Sequence, residues 1–394
     1  SYVGAGTFTE DVTIVSNSTY VDFRFTGANT TTVFNSVSVK EVLGQEVVPD
    51  SGCGSWLLEP QSTNLVPFSE DFSQWNNYIT TPTLNFATSP SGGVNAAKLT
   101  SNGVFGSFNL TVYKSSSAFN YTQSVFVKAV NYSIVNLISY GSSSANRAQV
   151  SFDLSDGSVS LPASVNGTYT NPSESIEDYG NGWYRISLSF TSDASVEVRP
   201  HIQFPAQMTN DDYILIWGAM LEQKSYATSY IPTNGAASTR LQDIANNSGN
   251  ATLINSTEGV LYAEVAALEN GNIYKLLEIN NGGTTDRVYV AYINNLLYGS
   301  VIVGGIVQFS FSTTLTVTDF NKVALKYAEN DFALWVNGVE VATDTSGITS
   351  SAGTLNSIDF SNSTNGIPFY GKTKALVVYK EALTDEQLTC LTTI

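Results

Sequence analysis

Glu258 and Glu264 are the two residues whose spacing comes nearest to a catalytic arrangement. They lie six positions apart in an alternating stretch, so a strand would place both side chains on the same face. Glycosidases use a pair of carboxylates in this way, one as the acid and one as the base or nucleophile. Glu258 precedes a glycine that is typical of a turn, and we therefore interpret both glutamates as structural.

The other residue types that serve in catalysis are scarce. His201 is the only histidine, which argues against a Ser-His-Asp triad and against a histidine-rich metal site. The Gly304-Gly305 pair lies among strands without the helix and lysine that a phosphate-binding loop needs. These motifs therefore predict no enzymatic activity.

Asp211 and Asp212 precede a strand that begins near Tyr213. Oxygen ligands at a strand end can hold a calcium ion, and the same residues also form turns. Two interpretations therefore stay open, a structural calcium site and a turn, and no other cofactor is expected. Cys53 lies in a linker and Cys390 in the C-terminal tail, and we interpret them as two free thiols.

Aromatic rings are the residues best suited to contact sugars, because a pyranose ring can stack on an exposed aromatic face. Trp183, Trp217 and Trp335 lie within alternating strands and are predicted to be in the core. Four other rings lie in polar, loop-like stretches and are predicted to bind carbohydrate: Trp75, Tyr78, Tyr169 and Tyr179.

The composition excludes two classes of partner. The chain has 394 residues, of which only 13% are charged, and its formal net charge is -17. Nucleic-acid binding needs clustered Lys and Arg, so we expect none here. No stretch approaches the ~20 apolar residues of a membrane span, so we expect no membrane insertion.

Period-two alternation with β-branched and aromatic residues dominates the chain and predicts half-buried β-strands. Examples are residues 124–130 and 183–190. Asn337-Gly338 between two apolar runs predicts a two-residue hairpin. One short helix is expected after Thr384, because Thr384 can cap the helix and Gln387 can complete a capping box. The predicted fold class is all-β, with tandem antiparallel sandwiches and one short C-terminal helix.

Three segments are predicted from these patterns: residues 1–49, 50–245 and 246–394. The first has only the strands of a C-terminal part of a sandwich, and a partial sandwich exposes strand edges. Three explanations stay open for it. The missing strands lie outside this chain, another subunit supplies them, or the segment is a small sheet that packs on the next domain.

The middle segment carries an ordered set of motifs at 57–65 (LLEPQSTNL), 68–75 (FSEDFSQW), 182–186 (GWYRI), 217–222 (WGAMLE) and 227–233 (ATSYIPT). This set resembles the jelly-roll repeats, similar to carbohydrate-binding modules, of phage tail, fibre and other virion proteins. The resemblance covers about half of the chain. It implies a jelly-roll sandwich displayed on a surface and possible contact with glycans.

The last segment carries 258–265 (EGVLYAEV), 321–327 (NKVALKY), 335–339 (WVNGV), 369–372 (FYGK) and 378–387 (VYKEALTDEQ). These motifs resemble a concanavalin A-like or laminin-G-like lectin sandwich over roughly 140 residues. The concanavalin-like glycosidases carry a Glu-x-Asp-x-x-Glu strand, and this sequence lacks one. The resemblance therefore implies a lectin-like domain without catalysis.

Together these observations predict a non-enzymatic phage virion protein, such as a fibre, tail or capsid-decorating subunit on the virion surface. We expect it to form a homo-oligomer, a trimer or a polymer, or to bind other virion proteins, with cell-surface polysaccharide as a ligand. A role as a spacer in a fibre stays open. The alternatives are a secreted bacterial carbohydrate-binding or adhesion protein and, third, a polysaccharide-active enzyme.

Overall fold

The structure is a computed structural model, and it describes residues 54–101, 105–205, 212–271, 274–362 and 366–394, with the backbone of 47–48. The predicted partial sandwich at 1–49 therefore lies outside the described residues, apart from 47–48. Cys53 and Asp211 lie outside them as well. Within the described residues almost every regular element is a β-strand, and all the strand pairs are antiparallel, which confirms the predicted fold class.

The first sandwich is built from the strands of residues 62–240, together with a short 3-10 turn at Phe72–Gln74. In chain order the strands up to its end are β1 (Val47–Val48), β2 (Ser55–Leu58), β3 (Ser62–Asn64), β4 (Asn76–Tyr78), β5 (Thr80–Ala87), β6 (Ala96–Ser101), β7 (Ser107–Asn109), β8 (Val112–Tyr113), β9 (Asn120–Ala129), β10 (Ile134–Tyr140), β11 (Arg147–Asp153), β12 (Ser158–Asn166), β13 (Thr170–Asp178), β14 (Trp183–Thr191), β15 (Glu197–Gln203), β16 (Ile214–Glu222) and β17 (Ser238–Arg240).

Two sheets face each other in this sandwich. Sheet 1 has the order β12-β11-β10-β15-β7-β4, with β8 beside β15, and sheet 2 has the order β13-β14-β9-β16-β6-β5. Alternate residues of each strand point inward, as period-two geometry requires. Leu137, Phe152 and Ile202 of sheet 1 meet Val125 and Ile186 of sheet 2 in one fully buried cluster. The intervening residues of sheet 1 therefore point away from the core.

The second sandwich follows the first and ends in the helix α1 (Asp385–Thr392). None of the helices in the described ranges has the length and apolarity needed to cross a membrane. The strands are β18 (Glu258–Ala267), β19 (Lys275–Asn280), β20 (Arg287–Ile293), β21 (Leu296–Val303), β22 (Ile306–Thr314), β23 (Asn321–Ala328), β24 (Phe332–Val336), β25 (Val339–Asp344), β26 (Ser357–Asp359) and β27 (Gly371–Tyr379).

Strands of the second sandwich come both before and after the first sandwich in the sequence. Its sheet 3 has the order β1-β2-β27-β18-β23-β24-β25, and its sheet 4 has the order β22-β21-β20-β19-β26. The boundary predicted at residue 50 assigned β2 to the first sandwich, but Trp56 pairs with Thr373 and Leu58 pairs with Gly371. The first sandwich is thus inserted between β2 and β18 of the second one.

Two local predictions are confirmed. Asn337 and Gly338 join β24 to β25 with φ angles of 51° and 83°, as a two-residue hairpin turn requires. At the start of α1, the side chain of Thr384 accepts a hydrogen bond from the backbone of Gln387, and the Gln387 side chain accepts one in return. Local sequence chemistry decides both features, because each involves residues close together in the chain.

Candidate functional site

The outward side chains of sheet 1 form rows across neighbouring strands. Residues that stand directly opposite each other in antiparallel strands share one face, so the register gives the rows. One row runs through Ser151, Asn136, Gln203, Ser107 and Tyr78, from β11 to β4. With strands spaced about 4.8 Å apart, this row is about 19 Å long. Four of its five members carry hydroxyl or amide groups beside the tyrosine ring at one end.

A second row lies beside the first on the same strands. It runs through Gln149, Ile138, His201, Asn109 and Asn76. Ile138 is buried and forms an apolar floor, while the other four residues carry groups that donate and accept hydrogen bonds. Polar residues therefore surround one apolar position near the middle of this surface.

A third row contains Arg147, Tyr140 and Arg199. The Arg199 guanidinium donates from Nε and from a terminal nitrogen to the carbonyl oxygen of Gly141, at 3.0 and 2.6 Å. Glu197 lies 3.6 Å from Arg199 Nε. These contacts fix the position of the guanidinium. The whole outward surface of these rows is called the polar face below.

Two pairs of side chains are in contact on the polar face, Arg147 with Gln149 and Tyr140 with His201. Arg147 Nε donates to the side-chain oxygen of Gln149 at 2.9 Å, which orients that amide. The Tyr140 and His201 rings meet edge to face with centroids 4.8 Å apart. Tyr113 of β8 stands opposite Glu197 and is exposed, so it adds a second tyrosine at another margin of the face.

His201 is uncharged at neutral pH. Burial, together with the nearby positive charge of Arg199, lowers its pKa to about 4. A neutral imidazole offers one donor and one acceptor. The side-chain oxygen of Asn136 is buried and has no hydrogen-bond partner among the described residues. A buried amide oxygen of this kind calls for a donor from water or from a ligand.

The polar face can therefore bind an uncharged, hydroxyl-rich molecule. Amide, imidazole and guanidinium groups stand at regular spacings, with donors and acceptors mixed. Tyrosine rings at two margins, Tyr78 and Tyr113, can pack against the apolar side of a ring. Among the side chains of the rows described here, none is a nucleophile with a base in hydrogen-bond contact.

The four predicted sugar-binding rings do not form one platform. Tyr78 is 60% exposed and lies at the edge of the polar face. Tyr179 is also exposed, but it follows β13 in sheet 2 and packs edge to face on Phe126. Because β13 and β4 lie at edge positions of different sheets, Tyr179 does not extend the face that contains Tyr78.

Trp75 and Tyr169 correct the prediction made for them. Trp75 is only 3% exposed, and its indole N–H donates to the carbonyl oxygen of Phe68 at 2.9 Å. Tyr169 is only 2% exposed and stacks on Phe190 with centroids 5.1 Å apart. Neither ring is available to a sugar, because both side chains point into the core. The polar residues next to each ring in the sequence suggest an exposed loop. Trp183, Trp217 and Trp335 are buried, as predicted.

The predicted calcium site stays a prediction. Asp211 lies outside the described residues, and Asp212 is half-buried just before β16. Within the described part of the chain no group of three or more His, Cys, Asp or Glu residues is arranged to hold a metal ion. Cys390 is an exposed free thiol on α1.

Two pairs of carboxylates lie on shared faces of strands in the second sandwich, but neither has the geometry of a glycosidase pair. Glu258 and Glu264 share a face of β18 but lie about 20 Å apart along it, far beyond the ~5–9.5 Å of a catalytic pair. Glu278 and Asp359 stand directly opposite each other. Both are buried, however, and the Asn280 amide donates to them at 3.1 and 2.6 Å. Neither pair can act on a polysaccharide.

The motifs at the two ends of the first sandwich, 57–65 and 217–240, lie next to each other in the structure and are called the bracket. Strands β3 and β17 pair, which brings Ser62 opposite Arg240. Beside them runs the connection between the sandwiches, where Arg240 forms an ion pair with Glu59 at 2.9 Å. The backbone N–H of Glu59 donates to the Asp243 carboxylate at 2.8 Å, and the backbone N–H of Asp243 donates to the carbonyl oxygen of Glu59 at 2.9 Å. These motifs therefore hold the inserted sandwich in place.

Glu222 is a fully buried acid at the end of β16, within the 217–222 motif. It accepts hydrogen bonds from the hydroxyl of Ser62 at 2.6 Å and from the backbone and hydroxyl of Thr228. Burial raises its pKa, and the hydrogen bonds from Ser62 and Thr228 and the charge of Arg185 offset part of that effect.

We expect Glu222→Gln to change how stability depends on pH. A pKa that folding raises gives stability that is present below the unfolded pKa and is lost as the pH rises through the folded pKa. The wild-type free energy of unfolding, measured relative to that of Glu222→Gln, should therefore fall as the pH rises from about 4.5. Urea unfolding of both proteins across this range measures the difference. A constant difference would contradict the expectation.

Sequence reasoning missed most of the polar face. The signal was present in β15, where Arg199, His201 and Gln203 alternate with apolar residues, and in β11, where Arg147 and Gln149 do so. Large groups that can make several hydrogen bonds stand at outward positions there, in a chain whose polar residues are mostly Ser, Thr and Asn. The pattern within one strand could suggest a polar face, but only the strand order joins such strands.

Comparison with known proteins gives likenesses of structure only. No protein-family model and no curated protein matches the chain. Among solved structures it is similar to the CBM40 module of Ruminococcus gnavus IT-sialidase bound to α2,3 sialyllactose. The identity is 21% and the TM-score 0.32, over 39% of this chain and 95% of that one.

Two further solved structures illustrate the range of these likenesses. Leech intramolecular trans-sialidase is 18% identical with a TM-score of 0.30, over 39% of this chain and 28% of that one. Domains LG4-5 of the mouse laminin α1 chain are 9% identical with a TM-score of 0.26, over 70% of this chain and 88% of that one. Similarities at this level carry no ligand or activity over to this chain.

Proposed function

We propose that this chain is a non-enzymatic adhesion protein that binds glycans through the polar face of sheet 1. The observation that supports this proposal most directly is the set of cross-strand rows in which Asn136, Gln149, His201 and Gln203 surround Ile138. Sugars present many hydroxyl groups that donate and accept at once, and a surface with mixed donors and acceptors matches them. Most of these groups are held by the rigid strands of a sandwich, which favours binding without rearrangement.

The proposed setting is the surface of a phage particle, where the two sandwiches would be displayed as part of a fibre, tail or decoration subunit. The motifs of the bracket and the low content of charged residues support this setting. Several copies on one particle would raise the affinity for a host polysaccharide through multivalency. Detection of this chain by mass spectrometry in purified phage particles would test the setting apart from the binding.

A glycan array probed with the labelled full chain tests the binding directly. The best glycan of the array is then titrated by calorimetry into wild type, Tyr78→Ala and Gln203→Ala. Each substitution should weaken binding about five- to tenfold, because each removes one ring contact or one hydrogen-bonding group worth roughly 1 kcal/mol. Binding should not change between pH 5.5 and 8, because His201 stays neutral over that range.

Tyr274→Ala is the matched control. Tyr274 is an exposed tyrosine of the second sandwich, with a fractional exposure of 49% against 60% for Tyr78, and we expect its loss to leave the affinity unchanged. Unchanged binding by both Tyr78→Ala and Gln203→Ala would place the glycan elsewhere. An array without any bound glycan would contradict the proposed function.

A further inference from the structure

Strand β22 is an unusual edge of the second sandwich. It is nine residues long and forms the outer end of sheet 4, with β21 as its one partner strand in the described structure. Its sequence, IVQFSFSTT, contains neither proline nor any charged residue. Three of its apolar side chains are largely exposed, namely Ile306, Val307 and Phe311. An edge with these properties is a template for pairing with another strand.

The other long edge strands in the described residues are protected against such pairing. Strand β5 contains Pro82, and β12 contains Pro162. Strand β13 contains Pro172 and three acidic residues, and β25 contains Glu340 and Asp344. Proline and charge on an edge are the devices by which proteins prevent edge-to-edge association. Among these five strands β22 alone has neither proline nor charge. Its pairing with β21 has one register shift, at Gln308, and is regular from Phe309 to Thr314. This regular, uncharged run is the part of the edge best suited to pair with another strand.

We infer that β22 pairs antiparallel with β22 of a second copy of this chain, so that two copies of sheet 4 form one continuous sheet. Residues 309–314 pair with β21 without a register shift, so this run can form a regular antiparallel ladder with its own copy across a two-fold axis. The absence of charged residues on β22 is compatible with this partner. Two chains that each carry a net charge of -17 repel each other, and they approach most easily along a strand without charge.

The size of the contact sets the expected strength. A nine-residue edge is about 30 Å long, which places the contact at the low end of specific interfaces, so we expect a dimer with a Kd in the micromolar range. Side chains on both faces of the edge take part. The register with β21 places Val307 and Ser310 on the outer face, while Phe311 lies on the inner face at the rim of the sandwich.

Sedimentation equilibrium of the full chain tests the inference. Wild type should shift from monomer to dimer between about 1 and 200 µM, the range in which interfaces of this size dissociate. Val307→Lys should raise the dimer Kd at least about tenfold, because a lysine on an edge strand puts a charge into the paired region and opposes edge-to-edge association. Ser310→Lys should act in the same way, and since Ser310 is exposed and polar this second variant does not depend on tolerance of the Val307 site.

Val339→Lys is the matched control. Val339 is 60% exposed on the edge strand β25, against 56% for Val307, and its substitution should leave the dimer Kd unchanged. Hydrogen exchange adds a local readout, since amides of 306–314 should become protected as the concentration rises. Three results would each overturn the inference: a chain that stays monomeric over the whole range, a dimer that both β22 variants leave intact, and a dimer that Val339→Lys weakens equally.

Discussion

Replacing Asn64 by alanine should lower the free energy of unfolding by about 4 kcal/mol, an unusually large loss for one polar side chain. The Asn64 amide nitrogen donates to the carbonyl oxygens of Ala219 and Ile231, at 3.1 and 2.9 Å. Its side-chain oxygen accepts from the backbone N–H groups of Val66 and Leu221, at 3.1 and 3.2 Å. One fully buried side chain thus satisfies four backbone groups.

The size of this loss follows from the burial of those partners. A buried backbone group without a hydrogen bond costs roughly 1–3 kcal/mol, and water can reach only some of the four after the substitution. Urea unfolding of the full chain, monitored by tryptophan fluorescence, measures the change. Thr63→Ala is the control, because the hydroxyl of the neighbouring Thr63 forms an exposed hydrogen bond with the Thr239 hydroxyl, and its loss should cost less than about 1 kcal/mol.

Asn64→Asp separates the donor from the acceptor role. It keeps the oxygen that accepts from Val66 and Leu221 but removes the donor to Ala219 and Ile231, and it adds a buried charge. We expect it to be at least as damaging as Asn64→Ala. An Asn64→Ala protein whose stability matched that of Thr63→Ala would show that these hydrogen bonds do not hold the bracket together.

Protonation of His201 should lower the free energy of unfolding by roughly 3 kcal/mol between pH 7 and pH 4. Its pKa is about 4 in the folded chain against an ordinary value of 6.5, and each unit corresponds to about 1.4 kcal/mol. Because folding lowers this pKa, the unfolded state binds the proton more readily. Stability from this residue is therefore present above pH 6.5 and is lost as the pH falls toward 4.

The single histidine makes this expectation easy to measure. Only one set of imidazole signals exists in the chain, so its NMR titration gives the folded pKa directly. His201→Gln removes the titrating group, and its stability should fall less steeply than that of wild type over the same pH range. A titration midpoint near 6.5 would show that Arg199 and the surrounding burial do not hold the imidazole neutral.

The two large predictions depend on residues that local sequence patterns could not place. Asn64 is the last residue of β3. One of its four backbone partners, Val66, is two positions away, and the other three are more than 150 positions away. From the sequence alone, His201 argues only against a triad and a histidine-rich metal site. Its pKa depends on the cross-strand neighbours that the sheet order supplies.

The sequence by itself determined the all-β class, the alternation within strands, the hairpin at Asn337-Gly338, the capping box at Thr384 and the burial of three tryptophans. These features depend on a residue and its near neighbours, through positive φ, capping or period two. Tertiary structure decided the rest. Trp75 and Tyr169 are buried, β2 pairs with β27 of the second sandwich, and β22 lies at the edge of its sheet. Alternation divides a strand into two faces, but only the packing of other strands decides which face becomes the core and which strands become neighbours.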